Sequence, residues 1–255
     1  MWDSLFFFGI LLPEWIWEKY MEREYSSNHA ELEKALGYKF KNHEYLLLAL
    51  THSTYAYEHR KFGIVSNQRL EFLGDAILDF IIGEDIYGRM PRWDEGKLSK
   101  TRALVVCEKT LSQVAKKLSV GQLLFLGKGE ESTGGRDKIS TLADTMESLF
   151  AAIYLDGGFD AAKKVVLSCL SEYIEAAVQG DLVFDYKSKL LEKAQTRHAP
   201  HQVVFDVVCE EGPVHDRTFV VAVLIDGQEM VRAEGRSKKQ AEQEASRLAL
   251  EKWQP

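Results

Sequence analysis

The chain has little cysteine. Its 255 residues include three, Cys107, Cys169 and Cys209, far apart and without a Cys-x-x-Cys pair. That excludes a disulfide-stapled scaffold and a cysteine-rich zinc site, and fits a reducing, cytoplasmic setting. No apolar run approaches the ~20 residues that cross a bilayer, and no repeat or low-complexity linker breaks the chain. Positive charge is not in excess: 32 Lys and Arg face 39 Asp and Glu, a formal net charge of -7. That balance argues at first against a nucleic-acid partner, but net charge says nothing about local patches. What is present is an ordinary globular mixture, 45% apolar and 28% charged, with the length of one large domain or a medium and a small one.

Three stretches differ in texture. Residues 1–29 form an N-terminal extension containing Leu-Phe-Phe-Phe-Gly-Ile-Leu-Leu at 5–12. It is too short for a membrane span and lacks the basic start of a signal peptide. A tail, a start site at Met21 and a surface or partner anchor all remain open, and no membrane is expected. From Ala30 to about Val178 apolar residues recur at three- and four-residue spacing, which predicts a bundle of about six to nine helices over 30–180. Near Gln179-Gly180-Asp181 the pattern changes. A short helix over 187–196 precedes alternating Val203, Phe205, Val207 and Cys209, then Thr218–Ile225. An Asp226-Gly227 hairpin turn and a strand over 228–233 follow. A last helix from Ser237 to about Trp253 carries Ala241, Ala245, Leu248 and Ala249 on one stripe. Residues 185–254 thus read as an α-β-β-β-α unit.

Two helices carry carboxylates against an apolar pattern. In Asn67-Gln-Arg-Leu-Glu-Phe-Leu-Gly-Asp-Ala-Ile-Leu-Asp-Phe80, Leu70, Leu73, Ile77 and Phe80 share a face, while Glu71 and Asp75 are about 40° and 6 Å apart. In Ser140–Leu155, Ser140 can cap the helix, Leu142, Met146, Leu149 and Ile153 make the stripe, and Asp144 and Glu147 lie on the other side. Gly74, Ala76, Ala143 and Ala151 are small enough to let the two helices approach. Four converging carboxylates repel, and a hard divalent cation with oxygen ligands cancels that repulsion. The same spacing also makes a solvated helix face, and periodicity alone does not decide.

The residues themselves go further. Asn67–Leu78 resembles the signature segment of the ribonuclease III family of double-strand-specific endoribonucleases. Thr51–Glu58, Asp94–Val106 and Leu126–Phe159 resemble its other segments in order and spacing, over about residues 30–255. The resemblance implies an all-α catalytic domain, the ribonuclease III helical bundle, followed by a small α+β double-stranded-RNA-binding domain. It implies that Glu71, Asp75, Asp144 and Glu147 ligate Mg²⁺, with Mn²⁺ a possible substitute, and that loss of Asp75 or Glu147 is most damaging. Glu95 would assist, from a partner subunit or by orienting RNA, a helix-cap charge being the plain alternative. Gln68 departs from the signature, which often has Glu there. A homodimer is implied, as are 5′-phosphate and 3′-hydroxyl ends with two-nucleotide 3′ overhangs, and processing of ribosomal precursors and structured messengers.

The C-terminal unit resembles the family's double-stranded-RNA-binding domain. Ser237, Lys238 and Lys239 begin its last helix, where free N–H groups and two ammoniums suit a phosphate, although two solvated lysines are the bland reading. By resemblance, Ser188, Glu192 and Gln195 face one minor groove and His215 the next. Leu191 and Ala233 depart from the usual Gln and Gly. Two rivals remain: a protein that holds duplex RNA without cutting it, and a phosphohydrolase of small molecules. The complete carboxylate set speaks against the first and the C-terminal unit against the second.

Overall fold

The structure is a computed structural model that describes residues 26–195, 200–212 and 217–253. The chain divides between Leu182 and Val183 into two compact units. Among the described residues the first unit is helical: α1 (Ser27–Leu36), α2 (His43–Ala49), α3 (Ser53–Glu58), α4 (Gln68–Arg89), α5 (Glu95–Val106), α6 (Glu108–Lys117), α7 (Lys128–Ser132), α8 (Ile139–Gly157) and α9 (Phe159–Gln179). Helix α1 starts before Ala30, capped by a Ser26–His29 box, and so takes in the end of the stretch that composition assigns to the extension.

Helix α8 is the axis of this unit, packed on α2, α4, α6 and α9. Leu142, Met146, Leu149, Phe150 and Ile153 are buried to 1% exposure or less. Each such side chain contributes about 1.5–3 kcal/mol by leaving water. Helix α8 lacks the expected Ser140 cap: Lys138 is the N-cap residue and no side chain caps the helix. On α4, Leu70 and Ile77 are buried as expected, but Phe80 is 60% exposed and Ala76 is exposed. The inward face rotates instead through Gly74, Leu78, Ile81 and Ile82. The start of α4 is fixed to the end of α2: the Asn67 backbone N–H donates to Thr51 O (2.9 Å) and its side-chain Nδ2 to Ala49 O (3.1 Å).

The second unit runs α10 (Tyr186–Ala194), β1 (Val203–Glu211), β2 (Thr218–Ile225), β3 (Gln228–Gly235), α11 (Lys238–Lys252). The sheet is antiparallel in the order β1-β2-β3. Asp226 and Gly227 both have positive φ, 51° and 80°, the conformation that a two-residue primed turn demands and Asp-Gly supplies. Leu190, Val223, Ile225, Ala245, Ala249 and Trp253 form the core between sheet and helices. Gly235 is needed where β3 meets α11, since a Cβ there would lie 2.4 Å from Ala241 N.

Candidate active site and nucleic-acid surface

The two carboxylate helices meet. A Cβ at Gly74 of α4 would stand 1.9 Å from the backbone oxygen of Glu147 on α8. The backbones therefore touch at the level of the acidic residues, and glycine is what permits it. Carboxylate oxygens of Glu71, Asp144 and Glu147 lie within 4.8 Å of one another. Asp75, one turn beyond Glu71, is exposed and stands outside this tight group, yet its charge acts on both Glu71 and Glu147.

The cluster favours protons. Burial above all, then the charges of Asp75, Asp144, Glu71 and Glu108, pushes the Glu147 carboxyl up to about 8. Burial followed by Asp144 and Asp75 raises Glu71. Asp144 is also raised, chiefly by burial and by Glu108, while His52 and Lys138 pull the other way. Partly buried carboxylates this close are costly when all are ionised. The donors are all hard oxygens, so the set fits a divalent cation of the Mg²⁺ or Mn²⁺ kind better than a soft metal.

In the second unit, Asp185, Lys187, Ser188, Leu191, Lys238, Lys239, Glu242 and Gln243 line an open groove of about 580 Å³ between α10 and the start of α11. Ser237 caps α11, its hydroxyl accepting from Gln240 N (3.2 Å). Lys238 and Lys239 are exposed at that N-terminus. Asp185 caps α10 and accepts from the Ser188 hydroxyl (2.8 Å) and from Gln243 Nε2 (2.8 Å), which holds the groove's two walls together. Lys187 is engaged within the fold, donating to Glu242 (2.8 Å) and lying over the Phe205 ring.

A family model described as Ribonuclease-III-like matches residues 42–174, and one described as double-stranded RNA binding motif matches 186–253. The chain is 44% identical to Ribonuclease 3 of Desulforamulus reducens, over 86% of this chain and 89% of that one. It is 41% identical to Ribonuclease 3 of Pseudothermotoga lettingae, over 91% and 98%. The chain belongs to the ribonuclease III family. The nuclease domain of a ribonuclease III from Campylobacter jejuni superposes with a TM-score of 0.53 at 38% identity, over 56% of this chain and 96% of that one.

Not every residue that the ribonuclease III signature singles out is drawn into the cluster. Gln68, the first residue of α4, is exposed and accepts from the Ser66 hydroxyl (3.3 Å). Glu95 begins α5, is exposed, and accepts from the Ser99 hydroxyl (2.8 Å). Glu192 and Gln195 follow Ser188 along α10 and its C-cap but do not line the groove. His215 lies outside the described residues. Conversely, Glu108, His52 and Lys138 act electrostatically on the cluster, and no sequence pattern singles them out. Glu108 has no partner carboxylate on its own helix, so spacing carries no signal for it.

Proposed function

We propose that this member of the ribonuclease III family is a Mg²⁺-dependent endoribonuclease that cuts double-stranded RNA. The observation that carries the proposal is the proton-hungry group of Glu71, Asp144 and Glu147 at a backbone contact between α4 and α8, in a chain that also bears the RNA-binding motif. Glu71, Asp75, Asp144 and Glu147 would hold the ion, with Mn²⁺ as substitute, and Gln68 and Glu95 would be accessory. A bound divalent ion would supply charge neutralisation and Lewis acidity toward a phosphoryl oxygen. The chain's own part is to keep the oxygens converged on rigid helices and to exclude water on the buried side.

In the second unit, Ser188, Glu192, Gln195, His215, Ser237, Lys238 and Lys239 would grip the duplex by its backbone and shape. We propose products with 5′-phosphates, 3′-hydroxyls and short 3′ overhangs, from ribosomal precursors and structured messengers in the cytoplasm. Among the described residues no helix is long and apolar enough to cross a membrane. A homodimer is part of the proposal. Phe72, Phe80 and Tyr87 stand 82%, 60% and 73% exposed along one face of α4, an apolar stripe that a second copy would cover. The solved Campylobacter nuclease domain has a region involved in dimer formation.

The test is cleavage of an end-labelled RNA duplex of about 30 base pairs, beside single-stranded RNA and duplex DNA, in Mg²⁺ and in EDTA, with Glu147→Ala as control. Mg²⁺-dependent cutting of the RNA duplex alone, lost in the variant, is expected. Duplex binding without cutting in Mg²⁺ or Mn²⁺ would reassign the chain to the binding-only alternative.

A further inference from the structure

The nuclease unit is acidic, with 27 carboxylates against 21 Lys and Arg over residues 1–182. One stretch has the opposite character. From His59 to Leu70 there is no acidic residue, and Arg60, Lys61 and Arg69 are basic. Here α3 continues into a 3-10 turn, Arg60–Phe62, stopped by Gly63 at φ 76°. The Arg60 guanidinium lies 4.7 Å over the Tyr57 ring, and that ring is 68% exposed. Lys61 Nζ lies 4.9 Å over the Phe62 ring. Tyr55 and His59 stack behind them at 4.0 Å.

Three arginines of this unit are engaged by carboxylates: Arg89 with Asp85, Arg102 with Asp79, Arg136 with Glu131. Among the described residues neither Arg60 nor Lys61 has a carboxylate partner. A guanidinium placed over a ring face spends none of its N–H donors on that contact, so they remain able to fork onto two phosphate oxygens. The ring also limits the rotamers that binding would otherwise have to freeze. No internal carboxylate has to be displaced. The ridge is also tied to the acidic site: the loop behind it enters α4 through Asn67, bonded to Thr51, and the next turn carries Glu71.

We propose that Tyr57, Arg60 and Lys61 form a second duplex-RNA contact, on the nuclease unit itself, that takes up two backbone phosphates of the substrate whose strand is cut at the acidic cluster. The inference rests on the reading of the substrate as double-stranded RNA. It divides the labour of binding: the groove of the second unit captures the duplex, and this ridge registers it against the carboxylates.

The experiment measures duplex-RNA affinity of the full chain in EDTA, where nothing is cut, over a series of KCl concentrations. It compares wild type with Arg60→Gln/Lys61→Gln, with Tyr57→Leu and with Lys238→Gln/Lys239→Gln. Each phosphate that is no longer neutralised should lower the slope of log K against log salt by about 1. The Arg60/Lys61 variant is therefore expected to lose about 2 from the slope. Tyr57→Leu, which keeps both charges, should weaken binding severalfold with little change of slope. All three sites are exposed, and a thermal melt checks that each variant remains folded. A wild-type slope in Arg60→Gln/Lys61→Gln, while the Lys238/Lys239 variant loses its share, overturns this inference and leaves the proposed function intact. Failure of wild type to bind the duplex at all overturns the proposed function instead.

Discussion

The acidic cluster and the RNA groove solve opposite problems. Glu71, in the first turn of α4, and Asp144 and Glu147, within α8, are partly buried, with oxygens within 4.8 Å and protons favoured on all three. Lys238 and Lys239 sit exposed at a helix end, beside a wall pinned by Asp185. The first arrangement is rigid, and its helix contact requires a glycine. The second needs only a cap and two flexible ammoniums, because solvent screens its repulsion. Chemistry at one atom demands convergence, whereas a grip on a polyanion demands reach. Substitutions in the two places should therefore fail differently.

The sharpest contrast comes from Glu147. Glu147→Gln should lower cleavage by about a thousandfold, about 4 kcal/mol of barrier, while leaving duplex binding in EDTA within about twofold. Its stability should move the other way. The fold favours the protonated carboxyl, so that contribution is complete below about pH 4.5, the ordinary value, and is lost as the pH rises through about 8. Gln mimics the protonated form. The nuclease unit's melting temperature should thus rise in the variant at pH 8 and hardly change at pH 4.5. Added Mg²⁺ should raise the wild-type melting temperature more than the variant's. Equal melting of the two proteins at pH 8 would show that the carboxylates do not repel as described.

Gly74→Ala tests the same region through packing alone. With its Cβ 1.9 Å from Glu147 O, α4 and α8 must separate. The cost should be about 2–3 kcal/mol, roughly 5–10 °C in Tm, with cleavage reduced because the oxygens no longer converge. Unaltered melting of the variant would contradict the close approach of the helices. In the second unit, Lys238→Ala/Lys239→Ala should weaken duplex binding steeply at physiological salt and reduce the salt slope by about 2. Its melting should be unchanged or slightly raised, since two cations at a helix N-terminus oppose the dipole. Calorimetry beside the titration separates these effects.

These expectations mark what spacing alone can reveal. The stripe of Leu142, Met146, Leu149 and Ile153, the Asp226-Gly227 turn and the Ser237 cap are legible because each follows a local rule. The convergence of Glu71 with Asp144 and Glu147 is only one option at that level, since periodicity fixes an angle on one helix and not the phase of its partner. Gly74 stands out as small, but nothing local shows that its missing Cβ faces a carbonyl of α8. Ala76, also small, faces solvent. Phe80 reads as core because the pattern at three and four residues continues through it, whereas it is 60% exposed on the face that also carries Phe72 and Tyr87. Glu108 acts on the cluster from α6, a third element with no acidic partner of its own.

The smallest expected effect sharpens the comparison most, because it asks how much charge the cluster tolerates. Gln68 opens α4 one turn before Glu71 and bonds Ser66, not the acidic group. Gln68→Glu would add a charge at the helix N-terminus, where the dipole favours an anion by about 0.3–1 kcal/mol, and near carboxylates that already repel. The two effects oppose one another on an exposed side chain, so stability should scarcely move. Cleavage in Mg²⁺ should stay within about tenfold of wild type, about 1.4 kcal/mol of barrier. A Mg²⁺ titration of the two proteins reads the balance: a modestly lower midpoint in the variant places the new carboxylate within reach of the ion. A loss of several orders of magnitude would mean that the amide at Gln68 is itself part of the machinery, and that the cluster is tuned to one charge fewer than the family signature often carries.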